Sequence, residues 1–229
     1  MKKNNLILGT FLAITAILFS SCGASSSSDS TSTEKVEGST DSTESGGVVT
    51  IGTQVWTSKN LNVATYRNGD VIPEVQDKNA WANLTTGAWC YYNNDASNGT
   101  KYGKLYNWYA VNDPRGLAPK GYHIPTDAEW TQLSDYLGGE SEAGTKMKSI
   151  SGWYNNGKGT NSSGFSGLSG GTRDGSGTFL FIDGSGQWWS SAESSTSGAW
   201  SRYLNFSNGL VSRGGDYKSS GFSVRCLRD

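Results

Sequence analysis

Residues 123–130 read His-Ile-Pro-Thr-Asp-Ala-Glu-Trp, and this stretch carries the clearest structural signal in the chain. Thr126 and Glu129 have the spacing of a capping box, in which each side chain accepts a hydrogen bond from the backbone amide of the other residue. An apolar stripe follows on one face of the predicted helix, formed by Trp130, Leu133 and Leu137. Gly138 then supplies the left-handed position at which helices commonly stop. The pattern predicts a helix over residues 127–137.

Sheet structure is predicted on both sides of this helix. Residues 48–51 and 54–56 predict an opening hairpin with its turn at Gly52 and Thr53. Two Asp-Gly-Ser-Gly sequences, starting at positions 174 and 183, bracket residues 178–182, which are β-branched and aromatic. This pattern predicts a meander of tight hairpins. Further strands are predicted over residues 199–206, 209–212 and 222–227.

The composition is typical of a loop-rich fold. The chain has 31 Gly, 11 Tyr and 9 Trp but only 2 Met and 1 His, which favours a domain built around aromatic rings over a helical bundle. Residues 104–111 carry apolar side chains at helical spacing and predict a short helix, and another is expected near residues 143–150. The predicted class is α+β, with two main helices against a twisted, mainly antiparallel sheet and long aromatic-rich loops.

The first residues predict export. Lys2 and Lys3 precede an apolar run over residues 6–19, and small residues stand directly before Cys22. The run is roughly 14 residues long, short of the roughly 20 that a membrane-spanning helix needs, so a cleaved signal peptide over residues 1–21 is predicted. The junction resembles the lipobox of bacterial lipoproteins, which implies a lipid anchor on Cys22; cleavage to a soluble secreted protein is the alternative.

Residues 22–47 predict a disordered tether, because Ser, Thr, Gly and acidic residues dominate and Val36 is the only large aliphatic residue after the cysteine. Within the tether, Ser30 and Ser42 each follow an Asp and precede a Thr. These triplets resemble the O-glycosylation acceptor motif of Bacteroidetes, although such triplets also arise by chance in a Ser/Thr-rich tract. The predicted location is the cell envelope, with the membrane as partner through the lipid, and the outer membrane favoured. Whether the protein faces the periplasm or the outside is left open.

The predicted folded domain, residues 48–229, lacks the charge pattern of a nucleic-acid-binding protein. The formal net charge of the chain is −1, with no basic block, whereas nucleic-acid binding needs a clustered Lys/Arg face. Cys90 and Cys226 remain after lipidation, and in an oxidising envelope such a pair predicts a disulfide. That crosslink would close a loop of more than 100 residues, for which chain entropy gives at most roughly 4 to 5 kcal/mol.

Aromatic rings interleaved with amides and carboxylates suit carbohydrate, because rings stack on the apolar faces of sugars while polar side chains bond hydroxyls. Residues 89–95 and 153–156 have this pattern. The alternative is that the same rings fill a core that is poor in Leu, Ile and Met. Neighbouring Trp188 and Trp189 point to opposite faces of a strand, so one is exposed or loops cover both. The ligand-binding candidates are Trp89, Tyr91, Tyr92, Asn94, Asp95, Trp153, Trp188 and Trp189.

Two further patterns carry weaker signals. The segment with Asn93, Asn94, Asp95 and Asn98 offers oxygen ligands to calcium, but the EF-hand spacing fails and a self-bonded Asn/Asp/Gly turn is favoured. His123 is the only histidine and has no second His or Cys nearby, so a hydrogen-bonded structural role is favoured over a metal site. The chain has no Gly-x-Ser-x-Gly motif, so a serine hydrolase is not predicted. No catalytic residue or cofactor is therefore expected, and calcium stays open as an alternative.

Five aromatic-rich blocks occur in order along the chain, at residues 89–95, 103–111, 123–130, 188–191 and 221–226. Together they resemble the Fibrobacter succinogenes major paralogous domain. That family is similar in turn to the C-type-lectin-like fold of the formylglycine-generating enzymes, through the block ending at Trp130. The resemblance implies a C-type-lectin-like fold. It does not imply the enzyme chemistry, because those enzymes bind copper with two closely spaced cysteines near the C-terminus and only Cys226 lies there.

The function expected from the sequence is a non-catalytic, envelope-displayed binding or adhesion module that recognises a glycan or an envelope protein. Two alternatives stay open. One is an enzyme of the formylglycine-generating type with altered chemistry, and the other is a structural accessory of a surface fibre. A concave site with convergent titratable groups would favour the enzyme, an exposed aromatic shelf the glycan binder, and a flat apolar patch the assembly role.

Overall fold

The computed structural model describes residues 47–157 and 159–229. The predicted signal peptide, the lipid-modified Cys22 and the glycosylation candidates Ser30 and Ser42 lie outside the described residues, as does the tether up to position 46. In the part of the chain that is described, no helix combines the length and the apolar character needed to span a membrane.

The described residues form a mixed α+β fold in which strands outnumber helices. The helices are α1 (Lys78–Ala82), α2 (Ala96–Tyr102), α3 (Trp108–Val111), α4 (Asp127–Tyr136) and α5 (Glu140–Met147). The strands are β1 (Val48–Ile51), β2 (Gln54–Thr57), β3 (Trp89–Cys90), β4 (Leu105–Tyr106), β5 (Tyr122–His123), β6 (Gly170–Arg173), β7 (Phe179–Ile182), β8 (Ser185–Glu193), β9 (Gly198–Asn205), β10 (Val211–Tyr217) and β11 (Leu227–Arg228). The predicted α+β class and the opening hairpin are confirmed.

The strands form three sheets. One has the order β1-β2-β11-β5, a second has the order β10-β9-β8-β6-β7, and β3 pairs with β4. Every pairing between named strands is antiparallel except the one between β6 and β8, which meet at Gly171 and Gly186. The C-terminal strand β11 lies between β2 and β5, so the two ends of the domain share one sheet.

Helix α4 begins as its sequence predicts. The Thr126 hydroxyl accepts from the Glu129 amide at 3.2 Å, and the Glu129 carboxylate accepts from the Thr126 amide at 2.8 Å. The helix ends at Tyr136, with Leu137 as its C-cap and Gly138 at φ +104°. Its apolar stripe is buried in a cluster with Trp56, which fixes the helix against the first sheet.

Three secondary-structure predictions need correction. Residues 104–111 are not one helix, because Tyr106 pairs with Trp89 in a short sheet and the Asn107 side chain then caps a helix that starts at Trp108. The second short helix is α5, which starts three residues earlier than expected and ends at Met147. The predicted meander is wrong, because β7 is an edge strand that pairs with β6, while β6 lies between β7 and β8.

Aromatic rings fill the core, as the composition indicates. Trp56 and Trp130 have ring centroids 4.8 Å apart, and both rings also contact Phe165. Trp188 contacts Phe165 from the second sheet at 5.7 Å. These contacts join α4 and the two larger sheets into one core, which a few large rings can fill because each buries roughly 150 to 250 Å².

Candidate functional site

Five of the predicted ligand-binding rings are core residues. Their burial excludes direct stacking on a ligand, so these assignments are wrong as they stand. Trp188 and Trp189 are both buried, in different clusters, because the sheet is covered on both faces. The buried rings are Trp89, Tyr92, Trp153, Trp188 and Trp189.

Each buried tryptophan among the candidates satisfies its indole N–H internally, as buried polar groups must. The acceptors are the Ile72 carbonyl for Trp89 at 2.9 Å, the Ser149 hydroxyl for Trp153 at 3.0 Å, the Asn60 side-chain oxygen for Trp188 at 2.8 Å and the Tyr106 carbonyl for Trp189 at 2.8 Å. These bonds explain why the rings occupy fixed core positions.

Tyr91, Asn94 and Asp95 remain partly or fully exposed, but their side chains serve the local backbone or a neighbouring cation. Asp95 caps α2 by accepting from the Ser97 amide at 2.9 Å, and Asn94 donates to the Gln76 carbonyl at 3.1 Å. The Tyr91 hydroxyl lies 3.2 Å from the buried Lys104 ammonium, which also lies 4.3 Å from the centroid of the Trp89 ring. A lysine of the protein itself therefore covers this aromatic pair.

The segment proposed for calcium has the turn-forming role that the sequence favoured. Asn93 and Asn94 adopt φ values of +54° and +57°, which Asn tolerates better than most residues. Asn98 donates to the Tyr92 carbonyl at 3.0 Å. Within residues 47–157 and 159–229, no three His, Cys, Asp or Glu side chains come together in a group able to hold a metal ion.

The predicted disulfide between Cys90 and Cys226 is wrong. Both cysteines are free and buried, and they belong to different hydrophobic clusters. Burial raises the pKa of each thiol to about 12, so both are neutral at physiological pH. The prediction rested on an oxidising compartment and on the two cysteines that remain after lipidation. In the structure, Cys90 lies in β3, whereas Cys226 lies beside β2 and its amide donates to the Thr57 hydroxyl at 3.0 Å.

His123 is held between two carboxylates. Its Nδ1 lies 2.8 Å from Asp229 Oδ1 and its Nε2 lies 3.0 Å from Glu129 Oε1. Partial burial alone would lower the pKa of His123, but the hydrogen bonds to the two carboxylates outweigh it and raise the pKa above its usual value. Both ring nitrogens are engaged, which is the arrangement of a structural histidine that ties β5 to α4 and to the residue after β11.

An exposed aromatic and amide surface lies elsewhere, at the turn between β7 and β8. We define the Tyr154 surface as Tyr154, Asn155, Asn156, Asp183 and Phe206. Tyr154 is 59% exposed, and both asparagines and Asp183 are exposed. The Tyr154 amide donates to the Asp183 carbonyl at 2.7 Å. Its ring packs edge-to-face on Phe206, with centroids 5.3 Å apart and an interplanar angle of 84°. Phe206 thus supports the Tyr154 ring on one side, and the other side is exposed to solvent.

Unusual backbone conformations concentrate at this surface. Asn155, Asn156 and Asp183 have φ values of +48°, +59° and +59°. Phe181, in the strand β7 that leads into this turn, has φ +63° and is 63% exposed. A bulky residue in the left-handed region is an outlier, and such strain clusters at functional sites. Sequence analysis missed Phe181 because nothing local distinguishes it from the other apolar residues of β7.

Residues 49–228 match the family model described as the Fibrobacter succinogenes major domain. The chain belongs to this family. The match spans nearly the whole predicted folded region and confirms the resemblance inferred from the five sequence blocks. No match was found among curated proteins.

In this Fibrobacter succinogenes major domain, the family-like blocks and the exposed surface occupy different places. The blocks at 89–95, 123–130 and 188–191 supply core rings, the capping box and the central strand β8. The residues of the Tyr154 surface lie outside all five blocks. The blocks therefore form the scaffold, whereas the exposed Tyr154 surface is formed by residues outside them.

Proposed function

We propose that the domain is a non-catalytic binding module that recognises carbohydrate through the Tyr154 surface. One observation carries the proposal: an exposed aromatic ring is held in a fixed position beside two exposed side-chain amides and a carboxylate. This is the aromatic shelf that distinguishes a glycan binder from the enzyme and assembly alternatives.

The chemistry of the surface suits a neutral sugar. The open face of Tyr154 offers a flat apolar platform for the C–H groups of a pyranose ring. Asn155 and Asn156 each supply two donors and a carbonyl acceptor, and the Asp183 carboxylate supplies acceptors for hydroxyl groups. The buried Tyr102 hydroxyl donates to Asp183 Oδ1 at 3.0 Å, which orients that carboxylate.

Pre-organisation supports the proposal as well. The Tyr154 amide is anchored to the β7–β8 turn, and the Phe206 amide donates to the Gly184 carbonyl of the same turn at 2.9 Å. A methyl group added at Gly157 would clash with the Phe206 carbonyl oxygen, so the loop that follows Asn156 lies directly against the Phe206 backbone. A ligand at this surface would lose little freedom of the protein on binding.

We further propose that the scaffold is a version of the C-type-lectin-like fold. Three features support this assignment: the sequence block that ends at Trp130, the sheet that contains strands from both ends of the domain, and the long loops. An experimental structure superposed on lectin-like domains tests it.

Envelope display by a lipid on Cys22 is part of the same proposal and rests on the signal sequence. In cells, Cys22→Ser should shift the protein from the membrane fraction to the soluble fraction. A variant that still sediments with membranes would contradict lipid anchoring.

A glycan array probed with the full chain carrying Cys22→Ser tests the proposed ligand class. Binding should be saturable and should fall at least tenfold in Tyr154→Ala. The matched control is Tyr217→Ala, because Tyr217 on β10 is exposed to a similar degree, at 71%, and lies outside the surface. Absence of any bound glycan, or equal loss in the two variants, would contradict the proposal.

The enzyme and fibre-accessory alternatives gain no specific support from the described residues. The thiols of Cys90 and Cys226 are buried and neutral, and both ring nitrogens of His123 are engaged.

A further inference from the structure

A groove of about 400 Å³ lies between the β1–β2 turn and helix α4. All of its lining residues are uncharged: Ile51, Gly52, Thr53, Gln54, Gln132 and Tyr136. We infer that this groove is a second ligand site, which takes a single neutral sugar residue. The inference rests on the proposed function for its ligand class only, and it uses no residue of the Tyr154 surface.

Tyr136 provides the stacking platform of the groove. Its side chain is 66% exposed at the last turn of α4, and its ring lies over Gly52. A methyl group added at Gly52 would lie 3.0, 3.1 and 3.2 Å from three atoms of that ring. Gly52 also has φ +61°, so the turn needs glycine for its backbone and for the close approach of the ring. The ring is therefore supported on one side and open on the other.

Polar groups with spare hydrogen-bonding capacity stand beside the ring. Gln132 precedes Tyr136 by one helical turn, so the two side chains lie on the same face of α4. The Gln132 side-chain amide donates to the Thr53 hydroxyl at 3.1 Å. This bond fixes both groups, and it leaves the Thr53 proton to donate and the Gln132 carbonyl oxygen to accept.

Gln54 forms a rigid polar wall. Its side chain is buried, donates to the Glu129 carbonyl at 3.0 Å and accepts from the Trp56 indole at 3.2 Å. These two bonds hold the Gln54 side-chain amide in one orientation beside the groove.

The size and charge of the groove define the ligand. Ligand pockets usually measure about 300 to 1,000 Å³, so about 400 Å³ suits one small ring rather than an extended chain. An uncharged lining offers no partner for an ionic group, and burying an unpaired charge is costly. A neutral pyranose has the flat C–H face for Tyr136 and hydroxyls for Thr53 and Gln132.

The test is an amide NMR titration of the full chain carrying Cys22→Ser. The ligands are the neutral sugars glucose, galactose, mannose and N-acetylglucosamine, and glucuronic acid serves as the charged comparison. Saturable shifts at Thr53, Gln132 and Tyr136 are expected with at least one neutral sugar, with a dissociation constant in the millimolar range and at least tenfold weaker binding of the acid. Tyr136→Ala and Gln132→Ala should remove the shifts, and both positions are exposed, so the variants are expected to fold. Tyr154→Ala should leave them unchanged.

The outcomes separate this inference from the proposed function. If Tyr154→Ala abolishes glycan binding on the array while no sugar shifts the amide resonances of Thr53, Gln132 and Tyr136, the groove inference is overturned and the proposed function stands. If the groove resonances saturate and Tyr154→Ala has no effect on the array, the groove is supported and the Tyr154 surface is not. Shifts that persist in Tyr136→Ala, or that glucuronic acid reproduces at equal affinity, would also overturn the inference.

Discussion

The ammonium nitrogen of Lys148 lies 2.7 Å from the backbone carbonyl oxygen of Gly157. The same ammonium group donates to the carbonyls of Asn205 at 3.1 Å and Asn208 at 2.7 Å. Lys148 is buried, and its hydrogen bonds within the described chain all go to backbone oxygens. Lys148 thereby joins the loop that follows Asn156 to the residues on either side of Phe206. These are two of the three segments that carry the Tyr154 surface; the third is the β7–β8 turn with Asp183.

Lys148→Met is expected to lower the free energy of unfolding by about 3 kcal/mol, because three partly buried backbone carbonyls lose a charged hydrogen-bond donor. Carbohydrate binding should weaken in the same variant, since the loops that position Tyr154 and Phe206 are no longer joined. Urea denaturation and the glycan array measure the two effects. Lys120→Met is the control, because Lys120 is exposed and its replacement should change stability by less than about 0.5 kcal/mol.

Phe181→Gly is expected to keep or increase the free energy of unfolding, measured by urea denaturation. The left-handed backbone at Phe181 costs about 1 to 2 kcal/mol for a residue with a side chain, and glycine removes that cost at an entropic penalty of about 0.5 to 1 kcal/mol. Phe179→Gly is the matched control in the same strand. The Phe179 ring contacts Tyr92 at 5.3 Å and Arg173 at 4.8 Å, so its loss should lower stability by about 2 kcal/mol. A destabilised Phe181→Gly protein would contradict backbone strain at this position.

His123 should make stability depend on pH. Because its pKa in the folded protein is raised above that of the unfolded chain, the stabilisation is fully present below about pH 6.5 and is lost as pH rises through the folded pKa. The free energies of unfolding of wild type and His123→Gln should therefore converge between neutral and mildly alkaline pH. Urea denaturation from pH 5.5 to 9, with an NMR titration of the imidazole, measures this. A constant difference across the range would contradict the role of the two carboxylates.

Cys90 and Cys226 should behave as two unreactive thiols in the native protein. Burial and a pKa of about 12 leave almost no thiolate at pH 8, so iodoacetamide should label neither residue until denaturant is added. Mass spectrometry of the Cys22→Ser protein measures labelling before and after unfolding. A Cys90 to Cys226 crosslinked peptide, or labelling of either thiol without denaturant, would disagree with the structure.

The sequence alone predicted the features that depend on neighbouring residues. The capping box from Thr126 to Glu129, the glycine stop after α4 and the hairpin turn at Gly52 involve groups within four positions of one another, and local backbone chemistry determines them. The family was also accessible, because five blocks in order need no knowledge of their packing. The aromatic composition indicated a core made of rings.

Only the tertiary structure decided which rings are core and which are exposed. Trp153 and Tyr154 are adjacent in the sequence, yet their environments differ. The Trp153 ring is buried and its indole N–H donates to the Ser149 hydroxyl, whereas the Tyr154 ring packs against Phe206 and is exposed to solvent. Likewise, the free state of Cys90 and Cys226 follows from their placement in separate clusters. Burial and pairing depend on contacts between residues far apart in the chain, and composition and spacing do not contain that information.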